Sequence, residues 1–336
     1  MKKIIEFIVA VVTIVMLLTA CSGTQTTGTV PEGTNSNKET VSERKVLGFL
    51  PSAMTSNFFI YTSEGAKAVA EANGYELLIQ SPPSEDDFAS AVSIMEDMIT
   101  QGVDGIMLCT NSQESLAPAI KKANDAGIPV VMFNTTTEFD PTYGVDIYAY
   151  CGYDQYAGCG MIADWLNEYV KGEEAEVCIV EGLPSYYTVE RAGGFKDRIE
   201  ESYPNLKVVI SEAGDWETEK AMDATMDMVQ AHPSIKVVFT CSDPMAQGAW
   251  AACEQLNRKD LIVTGVDGNP DVLTSIRDGK ITATLNANPI NMGANAANAL
   301  LDAIHGVERT DKVILSDINV VDPSNVAELL DKYGIE

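Results

Sequence analysis

VVFTCSDPMAQGAWAACEQLNRKDLIVTGVDG, residues 237–268, holds two β-branched runs separated by one helix. Val237-Val238-Phe239-Thr240 and Leu261-Ile262-Val263-Thr264 read as buried strands. Pro244 suits a first helical position, where its missing N–H would be unpaired anyway, which leaves Asp243 as the cap in front of it. Strand, helix, strand forces a parallel pairing through a right-handed crossover. Both strands end in polar loops, Cys241-Ser242-Asp243 and Gly265-Val266-Asp267-Gly268. In an open α/β sheet such ends form the ligand crevice, so Ser242 and Asp267 are expected side by side at that edge.

The same alternation extends in both directions. Upstream, 45–50, 75–80, 105–109, 130–133 and 147–151 read as strands, with helices at 58–73, from 88 onward, and at 116–126. Gly74 stops the first helix, and Ser84 with Asp87 three residues on reads as a capping box for the second, whose apolar face is Phe88, Ala91, Val92, Met95, Met98 and Ile99. Further strands at 176–181 and 207–210 and helices near 189–202 and 217–231 complete a second series. Two βα series of about equal length predict an α/β protein with two doubly wound parallel sheets, each covered by helices on both faces. Beyond 280 a strand at 281–285, a helix at 292–305, a strand at 312–315 and a last helix at 325–333 follow, and periodicity does not assign them to either domain.

A chain of 336 residues is long enough for two full cores. A net charge of −27 without any basic run argues against nucleic acid or an anionic membrane surface as partner. Lys2 and Lys3 precede an apolar run at 7–18 that reads as a secretory signal. Leu18-Thr19-Ala20-Cys21 resembles the bacterial lipobox, in which the cysteine is lipidated and the chain is cut just before it. Residues 1–20 are thus expected to be a lipoprotein signal peptide, and 21–45, rich in Ser, Thr, Gly and Asn, a flexible tether on the extracytoplasmic face of the cell membrane. The six later cysteines show no zinc-like spacing. Buried free thiols are the favoured state, with a Cys151–Cys159 disulfide as the alternative open to an exported protein.

No P-loop, HExxH, GxSxG or EF-hand spacing occurs, so neither a cofactor nor a metal nor an enzymatic activity is expected. His232 and His305 lie at helix ends, where a dipole contact is the ordinary role. Gly158-Cys159-Gly160-Met161-Ile162-Ala163 matches GxGxxA, but Gly158 falls inside a helix rather than at a strand-to-helix turn, so it is no dinucleotide fingerprint.

The lipobox, the tether, Phe58-Phe59 with Gly65-Ala66, Glu190-Arg191-x-x-Gly194-Phe195, Asp243-x-Met245-Ala246-x-Gly248-Ala249 and Gly265-Val266-Asp267-Gly268 together resemble the type 1 sugar-binding proteins of ABC transporters. The ribose and galactose binders are the most similar branch, and the likeness runs from Val46 to the C terminus. It implies the periplasmic binding protein-like I fold, two lobes joined by a three-strand hinge: 46–153 plus 288–316, and 154–287 plus 317–336. The lobes would close on a ligand held between them. It further implies a monomer that delivers a monosaccharide or similar small polar ligand to an ABC permease; a receptor presenting its ligand to a membrane sensor is the alternative.

By the same resemblance Phe58, Phe59 and Trp216 are expected to sandwich a sugar ring, whose C–H faces suit flat apolar walls. Arg191 would fork onto adjacent hydroxyls and Asp267 accept from them. Ser56, Asn134, Thr135, Ser242 and Ala287 occupy further ligand positions but depart from the ribose pattern, which has asparagine, an Asp-Arg pair, asparagine and glutamine there. The first-lobe side thereby loses both charges, and Asn57, Asn286, Asn288 and Tyr186 or Tyr187 are the neighbouring polar groups that could substitute.

Overall fold

Runs such as VLGFL, GIML and VVMF are apolar on both faces, and they form strands buried under helices on either side. In the computed structural model, which describes residues 44–335, β1 (Val46–Leu50), α1 (Asn57–Ala72), β2 (Glu76–Ile79), α2 (Phe88–Gln101), β3 (Gly105–Leu108), α3 (Gln113–Asp125), β4 (Val130–Phe133) and β5 (Ala149–Gly152) alternate regularly. A single 3-10 turn, Pro141–Tyr143, interrupts the Thr-rich loop before β5. The second series is α4 (Gln155–Tyr169), β6 (Ala175–Glu181), α5 (Tyr186–Ser202), β7 (Leu206–Ala213), α6 (Thr218–Ala231), β8 (Ile235–Thr240), α7 (Asp243–Gln255), β9 (Ile262–Asp267), α8 (Pro270–Arg277) and β10 (Ala283–Asn286). Then come α9 (Pro289–Ile304), β11 (Val313–Leu315), β12 (Asn319–Val321) and α10 (Val326–Lys332).

Two six-stranded sheets result, in the orders β11-β5-β4-β3-β1-β2 and β12-β10-β9-β8-β6-β7. Every pairing is parallel except β10 with β12. The late elements divide between the sheets: α9 packs on α1 and on β3, β4 and β5, whereas α10 packs on α8. The chain therefore passes from one sheet to the other three times, at β5 to α4, β10 to α9 and β11 to β12.

The helix starts follow side-chain chemistry. Ser56, Asp87, Ser112, Asp154 and Ser185 each accept from a backbone N–H in the first turn of the helix they precede. Two expected caps move. Asp87 itself caps α2, while Ser84 hydrogen-bonds Asp86 instead. Ser242 holds the cap position of α7, and Asp243 is already helical because its carboxylate is engaged elsewhere. Gly158 lies within α4, as its spacing predicts. The six described cysteines are free and buried, so the Cys151–Cys159 disulfide does not form; burial pushes both thiols up to about 12. The signal segment, Cys21 and nearly all of the tether lie outside the described residues.

Candidate functional site

In each sheet one strand has neighbours that follow it along opposite directions: β1 lies between β2 and β3, and β6 between β7 and β8. Loops leaving the carboxyl ends of such strands diverge and leave a crevice. A cavity enclosing about 420 Å³ of space between atoms, part of it open to solvent, sits where the two crevices meet. Loops after β1, β2, β3 and β4 supply Ser52, Ser56, Glu85, Cys109, Asn111 and Asn134. From the other sheet come Tyr187 and Arg191 of α5, Trp216 after β7, Ser242 and Pro244 around the start of α7, and Asp267 at the end of β9.

Arg191 is the centre of the polar network. Its Nε donates to Gln155 Oε1 at 2.7 Å, and Nη1 donates to the Cys241 carbonyl at 2.7 Å and to Asp267 Oδ1 at 3.1 Å. Both partners of the ion pair are buried, at 4% and 5% side-chain exposure, so only this close pairing makes the two charges tolerable. Gln155 then donates from Nε2 to the Asn134 carbonyl at 3.0 Å and its side-chain oxygen at 3.3 Å. One amide thus joins the end of β4 to the arginine of the other sheet. Behind Asp267, Asp243 accepts from Asn269 N at 2.7 Å and from Thr284 Oγ1 at 2.6 Å. Burial raises the pKa of both carboxyls, and at Asp243 the charge of Asp267 adds to the rise. The Gly265 of the GVDG run has a steric cause here: a Cβ would stand 2.4 Å from Asp243 Oδ1.

Aromatic rings form the remaining walls. Phe58 and Phe59 meet edge to face, with ring centres 5.3 Å apart, and Phe59 meets Phe133 in the same way at 6.3 Å, so this wall is continuous with the core. Trp216 lies opposite in sequence and sheet, with the Arg191 guanidinium 5.7 Å from its ring centre. Its backbone, like that of Asp215, is left-handed (φ 67° and 52°), and the indole lies where a Cβ at Gly182 would stand 2.1 Å away. Asn134 (φ 63°) and Asp267 (φ 133°) share this strained geometry, which accumulates at sites whose surroundings fix it for function. Two buried polar atoms of the cavity, Trp216 Nε1 and Ser242 Oγ, have no hydrogen-bond partner among the described residues.

Residues 47–308 match the periplasmic binding protein domain family. The chain belongs to that family. It is 29% identical over 321 residues to the ribose import binding protein of Bacillus subtilis, covering 95% of this chain and 99% of that one. It is 31% identical over 252 residues to a D-ribose/D-allose-binding protein of Pseudomonas aeruginosa, covering 72% of this chain and 76% of the other. Among solved structures, an ABC transporter periplasmic solute binding protein of Actinobacillus succinogenes with bound D-allose superposes with a TM-score of 0.79 at 29% identity, covering 85% of this chain and 100% of its own. Like these relatives, the chain is a binding protein and not an enzyme.

For this periplasmic binding protein, Ser56, Phe58, Phe59, Asn134, Arg191, Trp216, Ser242 and Asp267 come together around one cavity. Thr135 does not join them. It lines a neighbouring cavity with Thr137 and Tyr186, and its Oγ1 accepts from Thr137 N at 3.1 Å. Of the neighbouring substitutes, Tyr187 reaches the site, whereas Asn57 donates to Asp271, Asn286 to Asn319, and Asn288 starts α9. Glu85, Asn111, Ser52, Cys109 and the bridging Gln155 were not singled out from the sequence. Glu85 follows β2 inside the stretch read as a capping box from Ser84 and Asp87, and only the meeting of the two crevices puts it in one cavity with Arg191. Burial pushes the Glu85 carboxyl up to about 7, against the hydrogen bond from Asn111 Nδ2 at 3.1 Å.

Proposed function

We propose that this protein captures a monosaccharide or similar small polar ligand outside the cytoplasm and delivers it to an ABC permease, held to the membrane by a lipid on Cys21. The observation that carries the reading is the Arg191–Asp267 pair set between Phe58, Phe59 and Trp216, with Trp216 Nε1 and Ser242 Oγ buried and unpaired. Flat apolar walls suit the C–H faces of a sugar ring, and an acceptor beside a planar donor suits its hydroxyls. The two unpaired atoms would gain partners only when such a ligand is bound. Relatives named for ribose and allose binding support the same class.

The ligand-binding residues in this reading are Ser56, Phe58, Phe59, Asn134, Arg191, Trp216, Ser242 and Asp267, with Thr135 acting behind Asn134. The lobes are 46–153 plus 288–316 and 154–287 plus 317–336, consistent with the division of the two sheets. The protein acts as a monomer and needs neither metal nor cofactor. Charged-group hydrogen bonds of roughly 1.5–3 kcal/mol each, offset by closure, lead to a micromolar Kd, about −8 kcal/mol. A thermal-shift screen of pentoses, hexoses, cyclitols and nucleosides tests it: one sugar class should raise Tm in a saturable way by mass action, and no shift from any of them would overturn the reading. Anchoring is tested separately. Cys21→Ser should move the protein from the membrane fraction to the medium, and unchanged partitioning would remove the lipid.

A further inference from the structure

Glu85 is a cavity acid without a cation of its own. Of the ionisable side chains that line the cavity, Arg191 and Asp267 bond to each other, and among the described residues Glu85 Oε2 accepts only from the uncharged Asn111 Nδ2. The groove that leads into the cavity is lined by Glu85, Asp86, Asp215, Glu217 and Glu219, with Lys220 as its cation. That lysine is already held, at 2.9 Å from Asp215 and 2.9 Å from Glu217. The site therefore carries an excess of negative charge in surroundings that focus its field. Ser242, 5% exposed and with its Oγ unpaired, lines the same cavity and shows that the protein leaves hydrogen-bonding capacity there unfilled.

A carboxylate so placed is half-buried and loses part of its hydration, a cost that is relieved when it is protonated or when something supplies the opposite charge. The one cation of the cavity lining, Arg191, is already paired with Asp267 and offsets the Glu85 charge only in part. A ligand bearing a protonated amine would do so directly, whereas a uronate or a sugar phosphate would bring like charges together. We propose that Glu85 is the charge-selecting residue of this cleft, and that the ligand class is a monosaccharide-sized ring polyol carrying a protonated amine. The rise of the Glu85 carboxyl to about 7 agrees with an acid that awaits its counter-ion. This inference rests on the sugar-capture reading and adds the ligand's charge to it.

Calorimetric titration at pH 7 with three congeners of one ring tests it: glucose, glucosamine and glucuronate, and the same three in the galactose series. The expected result in the wild type is an amino sugar bound at least about tenfold more tightly than its neutral parent, with the uronate at least about tenfold weaker than that parent. Glu85→Gln keeps the size of the side chain and its capacity for hydrogen bonds while removing the charge, so the preference for amine over neutral ring should fall below about threefold. A melting curve of the variant establishes that it is folded. A neutral parent that binds as tightly as its amine in the wild type overturns the proposal and leaves sugar capture standing. So does an amine preference that survives in Glu85→Gln. If no member of either series binds and the wider screen is also silent, sugar capture itself falls and this proposal with it.

Discussion

Arg191 engages Nε and Nη1 with Gln155, Cys241 and Asp267, which leaves the Nη2 edge of its fork for a ligand hydroxyl. Arg191→Ala and Asp267→Ala should each weaken binding of the sugar found by the screen by more than about tenfold, since each removes a charged hydrogen bond worth roughly 1.5–3 kcal/mol. A calorimetric Kd unchanged in both would remove the pair from the site. Stability responds differently: each truncation strands its partner as a buried charge, a cost on the order of 3–5 kcal/mol, so Tm of the free protein should fall too. Glu85 allows a pH prediction. Its folded pKa, about 7, lies above the ordinary carboxyl value of 4.5, with burial and Asp267 raising it and Asn111 and Arg191 opposing the rise. The folded state therefore holds this proton more strongly than the unfolded state. The stability it contributes is complete below about pH 4.5 and is lost as pH rises to about 7. Glu85→Gln should flatten this part of the Tm-against-pH curve and stabilise the free protein at pH 8, by at most about 3 kcal/mol and by less where water screens the cleft. Equal slopes in variant and wild type would show that the carboxyl titrates normally.

At the scale of elements, the first sheet is closed by α9 returning onto α1. The two helices meet through glycines: a Cβ on Gly65 would stand 1.9 Å from the Ile290 carbonyl oxygen, and one on Gly293 1.8 Å from that of Thr62. Gly293→Ala must push the helices apart and should lower stability by about 1–3 kcal/mol, read by chemical denaturation, without touching the cavity. Gly182→Ala should do the reverse. It displaces the Trp216 indole, so saturable quenching of Trp216 emission and ligand affinity should suffer more than Tm. These elements also mark what was legible in the sequence. Strands buried on both faces, such as β3 and β4, announce themselves as unbroken apolar runs, and Asn134 after β4 and Ser242 after β8 are readable at the ends of such strands, whereas Cys109 and Asn111 after β3 are not. By contrast α8, eight residues long, and β12, three residues long, are not legible in the sequence: α8 begins at Pro270 directly behind Gly268-Asn269, and β12 takes its pairing only from β10. Gln155 carries no local signal, since its role exists only through Asn134 of the other sheet, and Glu85 carries none because its partner Asn111 is distant in sequence.

For the whole molecule, the decisive property is that few bonds join the two sheets outside the crossings. Asn57 Nδ2 donates to Asp271 Oδ2 at 3.0 Å, Thr137 Oγ1 to Tyr186 OH, and Cys109 Sγ lies 3.4 Å from Tyr187 OH. If the lobes swing about the three crossings, as the proposed function requires, these contacts exist only in the closed form. A hydrogen bond is worth about 0.5–1.5 kcal/mol net, so removing one shifts the closed population by that amount without changing any ligand contact. Asn57→Ala is the clean case: Asn57 is absent from the cavity lining, and Asp271 Oδ2 keeps its 2.6 Å bond from Gln247, so no carboxylate is stranded. The variant should bind about two- to tenfold more weakly, with the loss appearing mainly as faster release in stopped-flow Trp216 fluorescence. Release at the wild-type rate would mean that closure does not depend on this contact. A slower encounter with unchanged release would mean that Asn57 guides the ligand in rather than holding the lobes together.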